Sequence, residues 1–301
     1  MKIAWGQETC YATGMTTPTH KNADDDETSE RIAKRIARAG LCSRRDAEKL
    51  IEQGRVSVDG QTLTTPAFVV NAQSQIIVDG KPLPEKEKTR LWLYHKPRGL
   101  MTSHHDPEGR PTVFAALAKS LPRVVSVGRL DFNSEGLLLL TNDGGLARQI
   151  ELPSTGWRRR YRVRVYGRPS EDDLKSLAKG ITVEGINYGP IEAHIERAQG
   201  SNPWLSLTLT EGKNREIRRV LAHLGLQVNR LIRVSFGPFQ LSSLQAGEFK
   251  EVPARVIEDQ ISGLLKKPSQ PDGKAPRKTQ SRKTPSPKPK PHAYANRRRS
   301  S

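Results

Sequence analysis

Residues 128–143, Gly-Arg-Leu-Asp-Phe-Asn-Ser-Glu-Gly-Leu-Leu-Leu-Leu-Thr-Asn-Asp, constrain the fold most. Leu137 to Leu140 is an unbroken apolar run closed by Thr-Asn-Asp-Gly-Gly. It is too short for a core helix and is stopped by turn residues, so it reads as a buried strand. Upstream, Val124, Val125 and Val127 form a second β-branched run that ends at Gly128. Asp131 therefore sits on a polar connection between two core strands, where rigid flanks can hold a reactive group. On spacing alone it could also be a turn or cap residue, since Asp favours both. Arg129 brings a positive charge beside it.

Charge narrows the partners. The 301-residue chain is 35% hydrophobic and carries a formal +18. Residues 266–301 hold twelve Lys or Arg and one acid, Asp272, or +11 of that total, which leaves +7 on the body. A basic body argues for a polyanionic partner. No apolar run approaches the roughly 18–20 residues that span a bilayer, and no signal-peptide pattern is present, so a cytoplasmic protein with no membrane association is expected. Two cysteines, Cys10 and Cys42, cannot build a disulfide framework or a four-ligand zinc site.

Residues 1–28 lack usable periodicity and are expected to be disordered, with an acidic run at 24–27. Met15 opens Met-Thr-Thr-Pro and is a candidate alternative start. Residues 29–81 read as a small RNA-binding module. Glu30 to Ala39 is an amphipathic helix, with Ile32, Ala33, Ile36 and Ala37 on one face and Arg31, Lys34, Arg35 and Arg38 on another. Ser43-Arg-Arg-Asp46 caps a second helix running to about Gln53 and carrying Arg44 and Arg45. Two strand-turn segments follow, at 55–60 and 76–80. Few acids face these cations, which favours contact with phosphate. Lys81 to Thr89 reads as a charged linker.

Residues 90–265 read as one mixed α/β domain, followed by a disordered basic tail at 266–301. Arg90 to Tyr94 alternates like a strand that Lys96-Pro-Arg-Gly99 breaks, and Thr112 to Lys119 reads as a short helix. The adjacent His104 and His105 lack a third ligand nearby, so a loop lying over substrate is expected there rather than a metal site. Residues 158–166 form the clearest strand, with Tyr161, Val163 and Val165 on the inner face and Arg160, Arg162, Arg164 and Tyr166 on the other. Trp204 to Thr210 is another alternating strand. Asn214 can cap the helix that follows, whose buried stripe is Ile217, Val220, Leu221 and Leu224. At 100° per residue Arg215 and Arg219 point away from that stripe, while Arg218 lies at its edge; if partly buried there it needs an anionic partner, for which Asp131 is the candidate, and otherwise it pairs with a surface acid or snorkels. Residues 231–239 add a strand and turn, and Ala254 to Leu265 a closing helix.

Three of these stretches carry a resemblance. Gly-Arg-Leu-Asp-x-x-Ser-x-Gly-Leu-Leu-Leu-Leu-Thr-Asn-Asp-Gly resembles the signature of the pseudouridine synthases, most of all the RsuA/RluB branch that acts on ribosomal RNA. Gly-Lys-Asn-Arg-Glu-Ile-Arg-Arg at 212–219 looks like that family's third motif, and residues 39–48 with 54–60 look like the α-L RNA-binding motif. The resemblance spans roughly residues 30–255. It implies an α+β pseudouridine synthase fold, a mixed and mainly antiparallel sheet with a central cleft, preceded by the α-L domain. It implies Asp131 as the catalytic nucleophile, Tyr161 stacking on a flipped-out base and assisting proton transfer, and Arg218 in a salt bridge to Asp131. Arg129, Lys213 and Arg215 would join the cations above in holding RNA. Ser134 stands where Thr is often found, and Leu152-Pro153 where many relatives carry His-Pro, so no role is assigned to that His.

The expected reaction breaks a C–N glycosidic bond and makes a C–C bond at the same ribose carbon, on a base taken out of its stack. It is redox-neutral, and no cofactor is expected: neither a Gly-x-Gly-x-x-Gly nor a Walker pattern occurs. The α-L details resemble the large-subunit enzymes more than the small-subunit one, which implies 23S-type ribosomal RNA as the partner, and a monomer is expected. Two other classes stay open on residues alone. A non-catalytic ribosome-assembly factor would use the same basic surfaces and tolerate Asp131→Asn. An RNA hydrolase would need a metal or a second carboxylate, for which the stretch offers no clear cage.

Overall fold

A computed structural model describes residues 29–197 and 202–265. The expectations for residues 1–28 and for the basic tail lie outside the described residues.

The N-terminal part has its own small core. Helix Ile32–Arg38 buries Ile32, Ala33 and Ile36. It starts later than the periodicity suggests, because Glu30 and Arg31 pair as a short strand with Val69–Val70. Helix Arg44–Glu52 is capped as expected: the Ser43 hydroxyl oxygen accepts the Asp46 N–H at 3.1 Å and the hydroxyl donates to the Asp46 carboxylate at 2.5 Å. A four-stranded sheet runs Gln61–Leu63, Val56–Val58, Ile76–Val78, Lys81–Pro82. Both hairpins turn on Asp-Gly, with φ of 50° and 84° at Asp59-Gly60 and 52° and 74° at Asp79-Gly80. Those values suit two-residue turns that follow strand twist. The segment read as a linker thus begins as a strand at Lys81–Pro82.

The larger part is built on a nine-stranded sheet. Its main path is Ile191–Arg197, Trp204–Leu209, Arg159–Tyr166, Gln227–Phe236, Glu135–Thr141, Leu91–Lys96, Phe249–Glu251. Phe239–Gln240 and Val125–Val127 pair onto it at the sides. Every pairing is antiparallel except one. Gln227–Phe236 meets Glu135–Thr141 in parallel over two residue pairs, Ile232 with Glu135 and Arg233 with Gly136. Gly136, at φ 104°, permits the approach, since a Cβ there would run into the Arg233 carbonyl.

The Leu137–Leu140 run is apolar throughout because both faces of its strand are covered. Leu138 and Leu140 belong to one core cluster, Leu137 and Leu139 to another. Arg159–Tyr166 alternates as expected, with Tyr161, Val163 and Val165 buried, but Arg159 is buried on the same face. Helix Gly144–Glu151 starts at Asp143, whose carboxylate accepts the Gly145 and Leu146 N–H groups at 2.8 and 3.3 Å. Among the described residues no helix is long and apolar enough to cross a membrane.

Candidate active site

A cleft of about 430 Å³ opens above the parallel join. One wall is the Gly128–Asp131 turn with Ser134, the opposite wall is residues 211–218, and the floor is the sheet face carrying Arg159, Tyr161, Leu209, Leu231 and Arg233.

The Asp131 turn is fixed from below. Ser134 N–H donates to the Asp131 carbonyl at 3.0 Å, and Gly99 N–H to the Phe132 carbonyl at 2.8 Å. Thr102 Oγ1 donates to the Leu130 carbonyl at 2.8 Å and accepts the Leu130 N–H at 3.3 Å. Lys96, fully buried, sends its ammonium to the carbonyls of Pro97, Asp131 and Ser134 at 3.0, 3.1 and 2.8 Å. Burial pushes that ammonium down to about 8, against the pull of the Asp131 and Glu135 carboxylates. Sequence reasoning took Lys96 only as the start of the segment that breaks a strand. Its signal was phase: Trp92, Tyr94 and Lys96 share the inward side of an alternating strand.

Tyr161 lines the floor and is paired in register with Arg233. Arg159 and Arg233, both buried, flank the Phe236 ring with guanidinium carbons 4.6 and 5.0 Å from its centroid. Arg159 donates to the carbonyls of Thr210, Trp157 and Glu151, and Arg233 Nε to that of Leu137 at 2.7 Å. Burial lowers the Arg159 pKa. Neither cation was singled out from the sequence.

The opposite wall departs from the expected pairing. Helix Glu216–His223 begins after Arg215, which adopts a left-handed backbone with φ 50°, and Asn214 does not cap it. Instead Glu216 Oε2 reaches back to accept the Lys213 N–H at 2.9 Å. Because Arg215 precedes the helix, the helical angle that turned it away does not apply. Its guanidinium lies 3.6 Å from the Asp131 carboxylate. Arg218, half-buried, donates to the carbonyls of Asn133 and Val228 at 3.1 and 3.2 Å, while its Nε has no partner. Burial lowers the Arg218 pKa, as does neighbouring Arg215, and the Asp131 carboxylate opposes them. Arg218 therefore sits in the field of Asp131 and holds the turn that carries it, but the ion pair belongs to Arg215.

The other expected RNA-facing cations are placed unevenly. Arg31, Arg44, Arg45 and Arg129 are exposed. Lys34, Arg35 and Arg38 converge on the buried carboxylate of Glu30 at 3.2, 3.6 and 2.9 Å, so an acid does face that helix. Lys213 donates to the Asn187 carbonyl at 2.6 Å and pairs with Glu211 at 2.8 Å. His104 stacks on Phe114 with centroids 3.6 Å apart.

Comparison with known proteins agrees with this architecture. The RNA pseudouridylate synthase family profile matches residues 90–223 and the S4 domain profile residues 30–76. A Rickettsia felis protein described as an uncharacterized RNA pseudouridine synthase is 51% identical over 229 residues, covering 76% of this chain and 99% of its own. Ribosomal large subunit pseudouridine synthase B of Yersinia pestis is 44% identical over 218 residues, covering 70% of this chain and 69% of its own. The Salmonella typhimurium protein of that name is 41% identical over 253 residues, covering 82% and 87%. A crystal structure of a pseudouridylate synthase superposes with a TM-score of 0.55 at 28% identity, over 76% of this chain and 98% of that one. The chain belongs to the RNA pseudouridine synthase family, enzymes that isomerise uridine in RNA to pseudouridine.

Proposed function

We propose that this enzyme converts a uridine of ribosomal RNA, in the large subunit, to pseudouridine, with Asp131 as the nucleophile. The observation that carries the reading is convergence: Asp131 and Tyr161 face one cleft whose far wall brings Arg215 and Arg218. The target uridine leaves its stack and enters the cleft, where Tyr161 stacks on the base. Asp131 acts as the anion that takes the base off its ribose carbon, and Arg218 positions its turn. The reaction keeps all atoms of the nucleotide: the C1′–N1 bond breaks and a C1′–C5 bond forms, with the C5 proton lost and a proton gained at N1.

Cations on the S4 module and at the rim of the cleft take the RNA backbone. Arg31, Arg44 and Arg45 are exposed on the S4 module, and Arg129, Lys213 and Arg215 rim the cleft. Lys34, Arg35 and Arg38 contribute less per charge, because Glu30 already engages them. The large-subunit assignment is supported by the relatives named for that subunit. The protein acts as a monomer in this reading.

Pseudouridine mapping of unmodified ribosomal RNA tests it. Wild type should add one pseudouridine in large-subunit RNA, and Asp131→Ala and Asp131→Asn should add none while still binding the RNA. A new pseudouridine in small-subunit RNA overturns the substrate assignment. Full activity in Asp131→Ala overturns the nucleophile.

A further inference from the structure

The turn at Lys213–Arg215 holds a pair of carboxyl groups that no step of the reaction uses. Glu216, the first helical residue, is 3% exposed. Its Oε2 accepts the Lys213 N–H at 2.9 Å, but the buried Oε1 has no donor. The Glu211 carboxyl is its neighbour: Lys213 engages both, giving its N–H to Glu216 and its ammonium to Glu211. Glu211 is already engaged, accepting the Gly189 N–H at 2.5 Å and the Lys213 ammonium at 2.8 Å. Two ionised carboxylates side by side at a buried place repel each other. One proton removes the repulsion and turns the orphaned oxygen into a donor. Burial, and then the charge of Glu211, push the Glu216 carboxyl up to about 7, against the Lys213 N–H.

The turn also needs something to hold it. Arg215 has φ 50°, a backbone region that costs a non-glycine residue and persists where its surroundings over-determine it. The back-reach of Glu216 closes the ring around that residue. Arg215 in turn carries the ion pair to Asp131, and Arg218 starts from the same helix end.

We propose that Glu211 and Glu216 share one proton in the working enzyme, and that Glu216, as the neutral acid, is a positioning residue that holds the Lys213–Arg215 turn so that Arg215 and Arg218 face Asp131. The groups facing the pair are Lys213 on the same turn and Arg159 from the sheet floor, with the Tyr188 ring under the Lys213 ammonium. As pH rises past neutrality the second carboxyl ionises, the pair repels and the turn loosens. The inference rests on membership of the synthase family and on the cleft, not on which RNA is the substrate.

Glu216→Gln separates this from a merely structural role, because an amide can donate to Glu211 and accept from Lys213 whatever the pH. The experiment measures kcat and KM on ribosomal RNA for wild type, Glu216→Gln and Glu216→Ala, from about pH 6 to about pH 9. Infrared carboxyl bands of the same proteins are recorded without RNA. The expected result is a Glu216→Gln enzyme within about threefold of wild type at the acid end and about fivefold or more above it at the alkaline end. Glu216→Ala should lose about tenfold or more throughout. Lys96 also titrates in this range, but it is common to all three proteins and cancels in the ratio. Wild type should show a protonated-carboxyl band that disappears with rising pH and is missing from Glu216→Gln. A folded but inactive Glu216→Gln, identical pH profiles for it and wild type, or no such band would overturn the proposal. Should wild type modify no ribosomal RNA, the substrate assignment fails and the infrared band alone decides the pair.

Discussion

Asp143→Asn probes how the signature stretch is anchored. The Asp143 Oδ1 caps helix Gly144–Glu151, and its Oδ2 accepts from Lys86 Nζ at 2.9 Å and Thr89 Oγ1 at 3.0 Å. Burial alone would raise this carboxyl, but Lys86 and the two backbone N–H groups overcome it and hold it at about 2. Asn can keep the Oδ1 cap, but it puts an NH2 donor where Oδ2 accepts from Lys86 and Thr89, so the substitution removes the charge together with those two hydrogen bonds. Holding the carboxyl at about 2 instead of the ordinary 3.8 corresponds to about 2.5 kcal/mol. The Lys86 side chain is 38% exposed, and solvent screening lowers that figure to about 2 kcal/mol. The sign follows from a depressed carboxyl pKa. The stabilisation is complete above 3.8 and is lost as pH falls toward 2. Urea unfolding followed by tryptophan fluorescence should show the variant about 2 kcal/mol less stable near neutral pH, with about half that gap at pH 3. A deficit below about 0.5 kcal/mol at neutral pH, or one that does not shrink with acid, would refute the reasoning.

Lys96→Met leaves three buried carbonyls without their donor and should cost about 2–4 kcal/mol and most of the activity. Because the folded-state pKa of Lys96 is depressed to about 8, its stabilising contribution grows as pH rises from 8 toward 10.5, so the gap in urea stability should widen over that window. Gly136→Ala drives a Cβ into the Arg233 backbone and should cost about 3 kcal/mol or more, seen as lost near-ultraviolet circular dichroism and poor soluble yield. Removing residues 266–301 should flatten the dependence of RNA affinity on salt, as read from filter binding at several salt concentrations, by an amount set by how many of its twelve cations touch phosphate.

The sequence was legible where local pattern and global burial agree. Leu137–Leu140 and the alternation ending at Tyr166 announce strands because each period reflects the face that packs. Counting in twos placed Tyr161 on the buried face of its strand, and the family resemblance, not the spacing, placed it toward a cleft. Arg215 was misplaced because a left-handed residue ahead of a helix leaves no mark in the spacing of side chains. Lys96 was passed over because a lysine beside a proline is ordinarily exterior. Arg159 and Arg233 looked like any other cations, and only the sheet puts them under the cleft. The joining of residues 135–136 to residues 232–233 depends on contacts almost a hundred residues apart, which no local window contains.

That join also bears on how the site comes into being during synthesis. The strand that sits between Arg159–Tyr166 and Glu135–Thr141 is Gln227–Phe236, which follows both in the chain. Until it arrives, the two halves of the sheet have no edge in common, and the cleft lacks the part of its floor that Leu231 and Arg233 supply. Closing so long a loop makes this a slow, late event in folding. The S4 module at residues 30–76 is complete in the chain long before the strand that joins the two halves of the sheet, so it can fold before the cleft is assembled.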